Sequence, residues 1–263
     1  MLETLVSLKT IYRKPYMMFV WAYLITVMGI LLGYRLPLSI SVDPGFISVV
    51  YVIIPSIFLI NSFIRHEERV EEKLIKRHRS FWGRHERDII ILLLYFGGMT
   101  AAFAVSSFMM PDSSFKVQLE KISQIRGTDI KDITGQAASK DTFFMEVLLN
   151  NLSVMLFSFF FSLLFGAGAV FILVWNASIL GVYIGSISKD LWNIPIVGLG
   201  FIPHGVPEIG GYIAAGLAGG ILSFGIVRRK SPEIMKSIAI DSLSIMFLAV
   251  GLIFLGAAVE AYF

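Results

Sequence analysis

Residues 201–220 read FIPHGVPEIGGYIAAGLAGG, and the apolar run continues to Val227 before Arg228, Arg229 and Lys230 stop it. A helix of about 20 such residues crosses the ~30 Å hydrocarbon core of a bilayer, and this reading decides the fold class. His204 and Glu208 stand at the mouth of the helix, spaced i, i+4 so that they share one face. Ionisable groups at the edge of a bilayer are costly and are usually kept for a purpose. Pro203, Gly205 and Pro207 pin the backbone around them.

The rest of the chain has the same character. Of its 263 residues 56% are hydrophobic and only 16% charged, with a mean hydropathy of +0.77. Apolar runs predict spans at about 16–36, 46–64, 89–110, 144–165, 169–187, 206–227 and 238–259. Pro55 is expected to kink the second of these. Gly166-Ala167-Gly168 breaks a run too long for one helix and predicts an antiparallel pair on either side. Residues 191–203, a dozen mostly apolar residues ending at Pro203, are too short to cross and suit a re-entrant element. The expected fold is therefore all-α: a polytopic transmembrane bundle of about seven spans, with a short re-entrant segment before span six. With no cysteine in the chain, disulfides and thiolate chemistry are excluded. Residues 1–15 have neither the apolar core nor the cleavage site of a signal peptide.

Polar stretches fill the gaps. Leu2, Leu5, Val6 and Leu8 beside Glu3, Lys9 and Arg13 suggest a short amphipathic surface helix. The segment 65–88 is rich in both charges and reads as a solvated extension of span two or as a basic surface for anionic lipid. Its His66, His78 and His85 lack metal-ligand spacing. Between spans three and four, Val117, Leu119, Ile122 and Ile125 alternate with charges and predict an amphipathic helix. Ser231-Pro232 opens the last helix as N-cap and first helical residue. Of the 22 Lys and Arg residues, 15 fall on the side of the N-terminus and the 65–88 and 228–236 loops, and 7 on the other. The positive-inside rule then puts the N-terminus in the cytoplasm and the C-terminus outside.

That orientation brings Glu146, Asn150, Asn151, His204 and Glu208 to a similar depth near the outer leaflet, with Asn176 nearer the midplane. Three readings of this polar set differ in chemistry. His204 and Glu208, with Glu146 as a third ligand, could hold a divalent metal such as zinc for an intramembrane hydrolase, although H-E-x-x-H and G-x-S-x-G are both absent and no catalytic residue is assigned. The same groups could instead hydrogen-bond across the bundle as interhelical glue. A half-length segment before a Pro/Gly-interrupted helix also suits a transporter or channel. Ala215/Gly219 and Gly216/Gly220 are small-xxx-small pairs, permitting close helix approach and self-association into a homo-oligomer.

At these residues the chain resembles the stage II sporulation protein M family of integral membrane proteins. The resemblance spans about 89–260 and rests on Asn150-Asn151, on Gly166 and Gly168, on Asn176 with Gly181, and most of all on Ile202-Pro203-His204-Gly205-Val206-Pro207-Glu208-Ile209. It divides the chain into an added two-span region with a basic cytoplasmic loop, 1–88, and a five-span membrane domain, 89–263. It implies a cell-membrane scaffold: the name-giving member anchors two extracytoplasmic cell-wall-degrading proteins during engulfment. The expected partners are the lipid bilayer and an extracytoplasmic protein, with nothing pointing to nucleic acid. The motif positions are carried across as candidate site residues with no catalytic role attached, and Gly166, Gly168, Gly181, Gly216 and Gly220 are read as packing positions.

Overall fold

A computed structural model describes residues 8–35, 42–74, 82–133 and 140–263. The described residues are mostly helical, with no strand among them: α1 (Leu8–Arg13), α2 (Tyr16–Arg35), α3 (Pro44–Leu74), α4 (Trp82–Met109), a 3-10 turn (Asp112–Phe115), α5 (Lys116–Ile133), α6 (Lys140–Phe165), α7 (Ala169–Ile187), α8 (Asn193–Gly200), α9 (Ile202–Val227) and α10 (Pro232–Tyr262). Six of them, α2, α4, α6, α7, α9 and α10, are long and apolar enough to cross a membrane, and the apolar part of α3, Pro44–Ile60, is shorter. The protein is an all-α multi-pass membrane bundle. Of the expected surface helix, Leu2, Leu5 and Val6 lie outside the described residues, as does His78.

Two helices run across prolines. Helix α3 continues through Pro55 and on to Leu74, so the charged stretch begins as an extension of the span. Helix α9 starts at Ile202, before Pro203, because a proline in the first turn gives up only an amide that has no intrahelical partner. Helix α8, eight residues or about 12 Å long at 1.5 Å per residue, is the short apolar element expected before it. Ser231 takes the N-cap position ahead of Pro232, but its hydroxyl makes no capping bond.

The helices fall into two layers. One holds α2, α3, α4 and α7; the other holds α6, α9 and α10. The expected antiparallel pairing of α6 with α7 is therefore confined to the region of their turn. Gly166 takes a positive φ of 71° there, which glycine alone adopts freely. The Ser162 hydroxyl accepts the Ala169 N–H at 2.9 Å, satisfying an orphan donor of α7 from the preceding helix. Beyond the turn, α7 runs to α4 and α6 runs to α9.

In lipid, helices associate through close packing and polar contacts rather than through the hydrophobic effect, so small residues decide where they meet. A Cβ on Gly181 would stand 2.6 Å from the Thr100 carbonyl oxygen, and one on Gly185 would meet Ala104 and Ser107; these two glycines seat α7 on α4. Gly29 and Gly33 do the same for α2 on α3, facing Val52 and Ser48. Helix α9 is the hub, with 83% of its apolar window buried against 22–50% for the other spans. Its Gly211 abuts Ile253 on α10, Gly216 abuts Ala169, and Gly219 abuts the Phe159 carbonyl on α6. Gly216 and Gly220 are thus buried inside the protomer, and internal packing uses the glycine face read as a surface for self-association.

Contacting pairs also fix relative direction. Tyr12 bonds Asp88 and Phe19 faces Gly98, so α2 and α4 run parallel; α7 follows α4 in the same sense. Helix α6 runs parallel to α9, while α10 returns antiparallel with Gly211 at Ile253 and Gly225 at Ile238. The starts of α6 and α9 and the ends of α7 and α10 consequently share one end of the bundle.

Candidate functional site

At that end lies a cleft of about 500 Å³. Helix α9 supplies His204, Glu208 and Tyr212, one stripe at i, i+4, i+8. Helix α6 supplies Asn150 and Asn151, α7 supplies Asn176 and Tyr183, and the last turn of α10 supplies Glu260. Phe96 and Phe201 complete an aromatic wall. Asn150, Asn151, Asn176, His204 and Glu208, widely separated in sequence, are thus brought together. Glu146 is exposed on α6 and does not line the cleft.

The stripe is held by hydrogen bonds from the neighbouring helix. Tyr212 donates its hydroxyl to Asn151 Oδ1 at 2.8 Å, and Asn150 Nδ2 donates to the same oxygen at 3.2 Å. With its oxygen engaged twice, Asn151 has its amide N–H groups left for the Glu208 carboxyl, with which it interacts. Glu208 also interacts with the Glu260 carboxyl across the α9–α10 interface. Its Oε1 is enclosed with no hydrogen-bond partner. Asn176 returns its Nδ2 to the Ile172 carbonyl of its own helix at 2.8 Å, satisfying one donor locally.

Space for Glu208 comes from α10. A Cβ on Gly256 would stand 2.5 Å from Glu208 Cγ and 3.1 Å from the His204 carbonyl oxygen. Because Gly256 has none, Glu208 lies across the helix and reaches Glu260 one turn on. Tyr262 donates to Asp141 at 2.5 Å, tying the end of α10 to the start of α6 beside the cleft. On the other flank the rings of Tyr183 and Phe201, then of Phe201 and His204, meet edge to face at 5.7 Å each. His204 is accordingly packed by an aromatic neighbour rather than turned toward a ligand trio. Among the described residues, no group of three or more His, Asp or Glu is arranged to hold a metal ion.

Glu260, Tyr212 and Tyr183 were missed by sequence reasoning. Glu260 stands at the expected end of span seven, and only the antiparallel return of α10 brings it to Glu208. Gly256, one turn before it, was the available signal.

The chain is 25% identical over 150 residues to an uncharacterized protein of Methanocaldococcus jannaschii, covering 56% of this chain and 83% of that one. No solved structure matches the chain. The family described as "Stage II sporulation protein M" matches residues 90–263, the segment that supplies every wall of the cleft. The chain belongs to the stage II sporulation protein M family.

Proposed function

We propose that this membrane protein is a scaffold or anchoring subunit that holds a segment of an extracytoplasmic partner in the cleft. One observation carries the reading: hydrogen-bonding side chains from four helices converge on a single cleft at one end of the bundle, framed by aromatic rings. Such a concave site, apolar in its walls with a few placed polar groups, is suited to binding an organic group. The uneven distribution of Lys and Arg supports an outward-facing cleft, with the N-terminus in the cytoplasm and the C-terminus outside. Residues 1–88 then serve as an added unit whose basic loop faces the cytoplasm, and 89–263 form the family domain.

The reading is tested with a photo-crosslinking residue at Gly205, which lines the cleft with open space where a side chain would project, and a control at the exposed Phe247 of α10. In native membranes the Gly205 position should give a discrete adduct that protease added from outside digests, and Phe247 should not. The same adduct at both positions, or no adduct at Gly205, sinks the anchoring role.

Transport is the second reading, and Asn176 favours it. Counted back from Ile187 at 1.5 Å per residue, Asn176 lies roughly 16 Å into α7, so the polar lining reaches well into the bundle. Solute flux in liposomes that disappears in Glu208→Gln would select transport over anchoring.

A further inference from the structure

We infer that the group seated in the cleft is a single cationic side chain, the lysine ammonium or arginine guanidinium of a partner protein, received by Glu208 and Glu260. The inference rests on the anchoring reading and names the chemistry of the partner's contact.

Two carboxyls in contact at the edge of a membrane need a positive charge between them, either a proton or a cation. Among the described lining residues there is neither Lys nor Arg, and the one imidazole, His204, is packed against the Phe201 ring. Glu208 Oε1 is enclosed and has no hydrogen-bond partner, an acceptor still open to a donor. The carboxyls are held in place, Glu208 by the gap at Gly256 and by Asn151, which Tyr212 and Asn150 fix in turn.

Shape and wall chemistry decide which cation. A volume of about 500 Å³ far exceeds the room a bare metal ion needs and falls in the range of organic ligand sites. Phe96, Tyr183, Phe201 and Tyr212 offer ring faces and apolar surface, which suit an alkyl stem that ends in an ammonium or guanidinium. An aminophospholipid would bring the same ammonium, but with a phosphate that no described Lys or Arg of the cleft would pair. A side chain brings the cation alone.

The test uses purified full-length protein in a maltoside detergent, which carries no amine, with Nα-acetyl-lysine N-methylamide as probe and the norleucine analogue as its uncharged match. Saturable binding of the lysine probe, at least tenfold tighter than the norleucine probe, is expected. Glu260→Gln and Glu208→Gln should each weaken it at least tenfold, and Glu146→Gln, outside the cleft, should leave it unchanged. Equal binding of the two probes overturns the inference, and so does no binding to wild type; neither result depends on a variant folding. Short-chain phosphatidylethanolamine binding in place of the lysine probe would assign the cleft to lipid. Stoichiometric zinc lost in both Gln variants would assign it to a metal. Either assignment overturns the inference. A cleft adduct at Gly205 that persists while the lysine probe fails leaves anchoring intact and removes only the cationic contact.

Discussion

Glu208 lies across Gly256, and the missing side chain of that glycine is what lets a glutamate pack flat between two membrane helices. Gly256→Ala is expected to destabilise the protein by about 1–3 kcal/mol, the cost of an extra methyl in a close-packed site. Gly251, five residues earlier on α10, has nothing within 4 Å of where its Cβ would be. Gly251→Ala should therefore be neutral or slightly stabilising, since alanine is the better helix former. Thermal unfolding of both variants in one detergent separates the local clash from any general intolerance of α10.

The Tyr212–Asn151 bond joins α9 to α6. Tyr212→Phe removes the donor and keeps the ring, so a loss of about 0.5–1.5 kcal/mol is expected. Combined with Asn151→Ala, the two losses should fall short of their sum, the mark of a shared interaction. Strict additivity in the double-mutant cycle would show that the bond contributes nothing.

A sterically harsher result is expected where α7 crosses α4. A Cβ on Gly185 would collide with the Ala104 carbonyl, which is backbone and cannot step aside. Gly185→Ala should lower the unfolding temperature clearly, while Gly205→Ala, with open space around it, should not. Equal behaviour of the two variants would mean that the α4–α7 contact is looser than described.

The chain has no cysteine, so single cysteines report topology against a silent background. In intact cells an impermeant maleimide should label Lys189→Cys and Phe263→Cys, and should reach Lys230→Cys only after permeabilisation. The reverse pattern would invert the orientation and turn the cleft toward the cytoplasm.

Much of this architecture was legible because lipid imposes a crude rule, about twenty apolar residues per crossing. Helix α7 falls at Ala169–Ile187, as its apolar run predicts. The i, i+4 spacing of His204 and Glu208 was readable in the same way, since it depends on one helix alone. Pairing between helices was not. Nothing in the Gly166-Ala167-Gly168 turn says that α6 leaves α7 for α9, because the lipid face and the protein face of an apolar helix look alike in sequence. Glu146 and Glu260 show the cost: both sit near the expected outer surface, yet helix rotation puts one outside the cleft and the other within it.

The parallel pairing of α6 with α9 also bears on how the protein is made. A ribosome delivers helices in chain order, so α6 enters the bilayer while α7 and α8 are still to be synthesised. During that interval Asn151 lacks the tyrosine that will later hold it. A polar amide waiting in hydrocarbon needs shelter, which gives α6 a reason of its own to depend on the cell's insertion machinery.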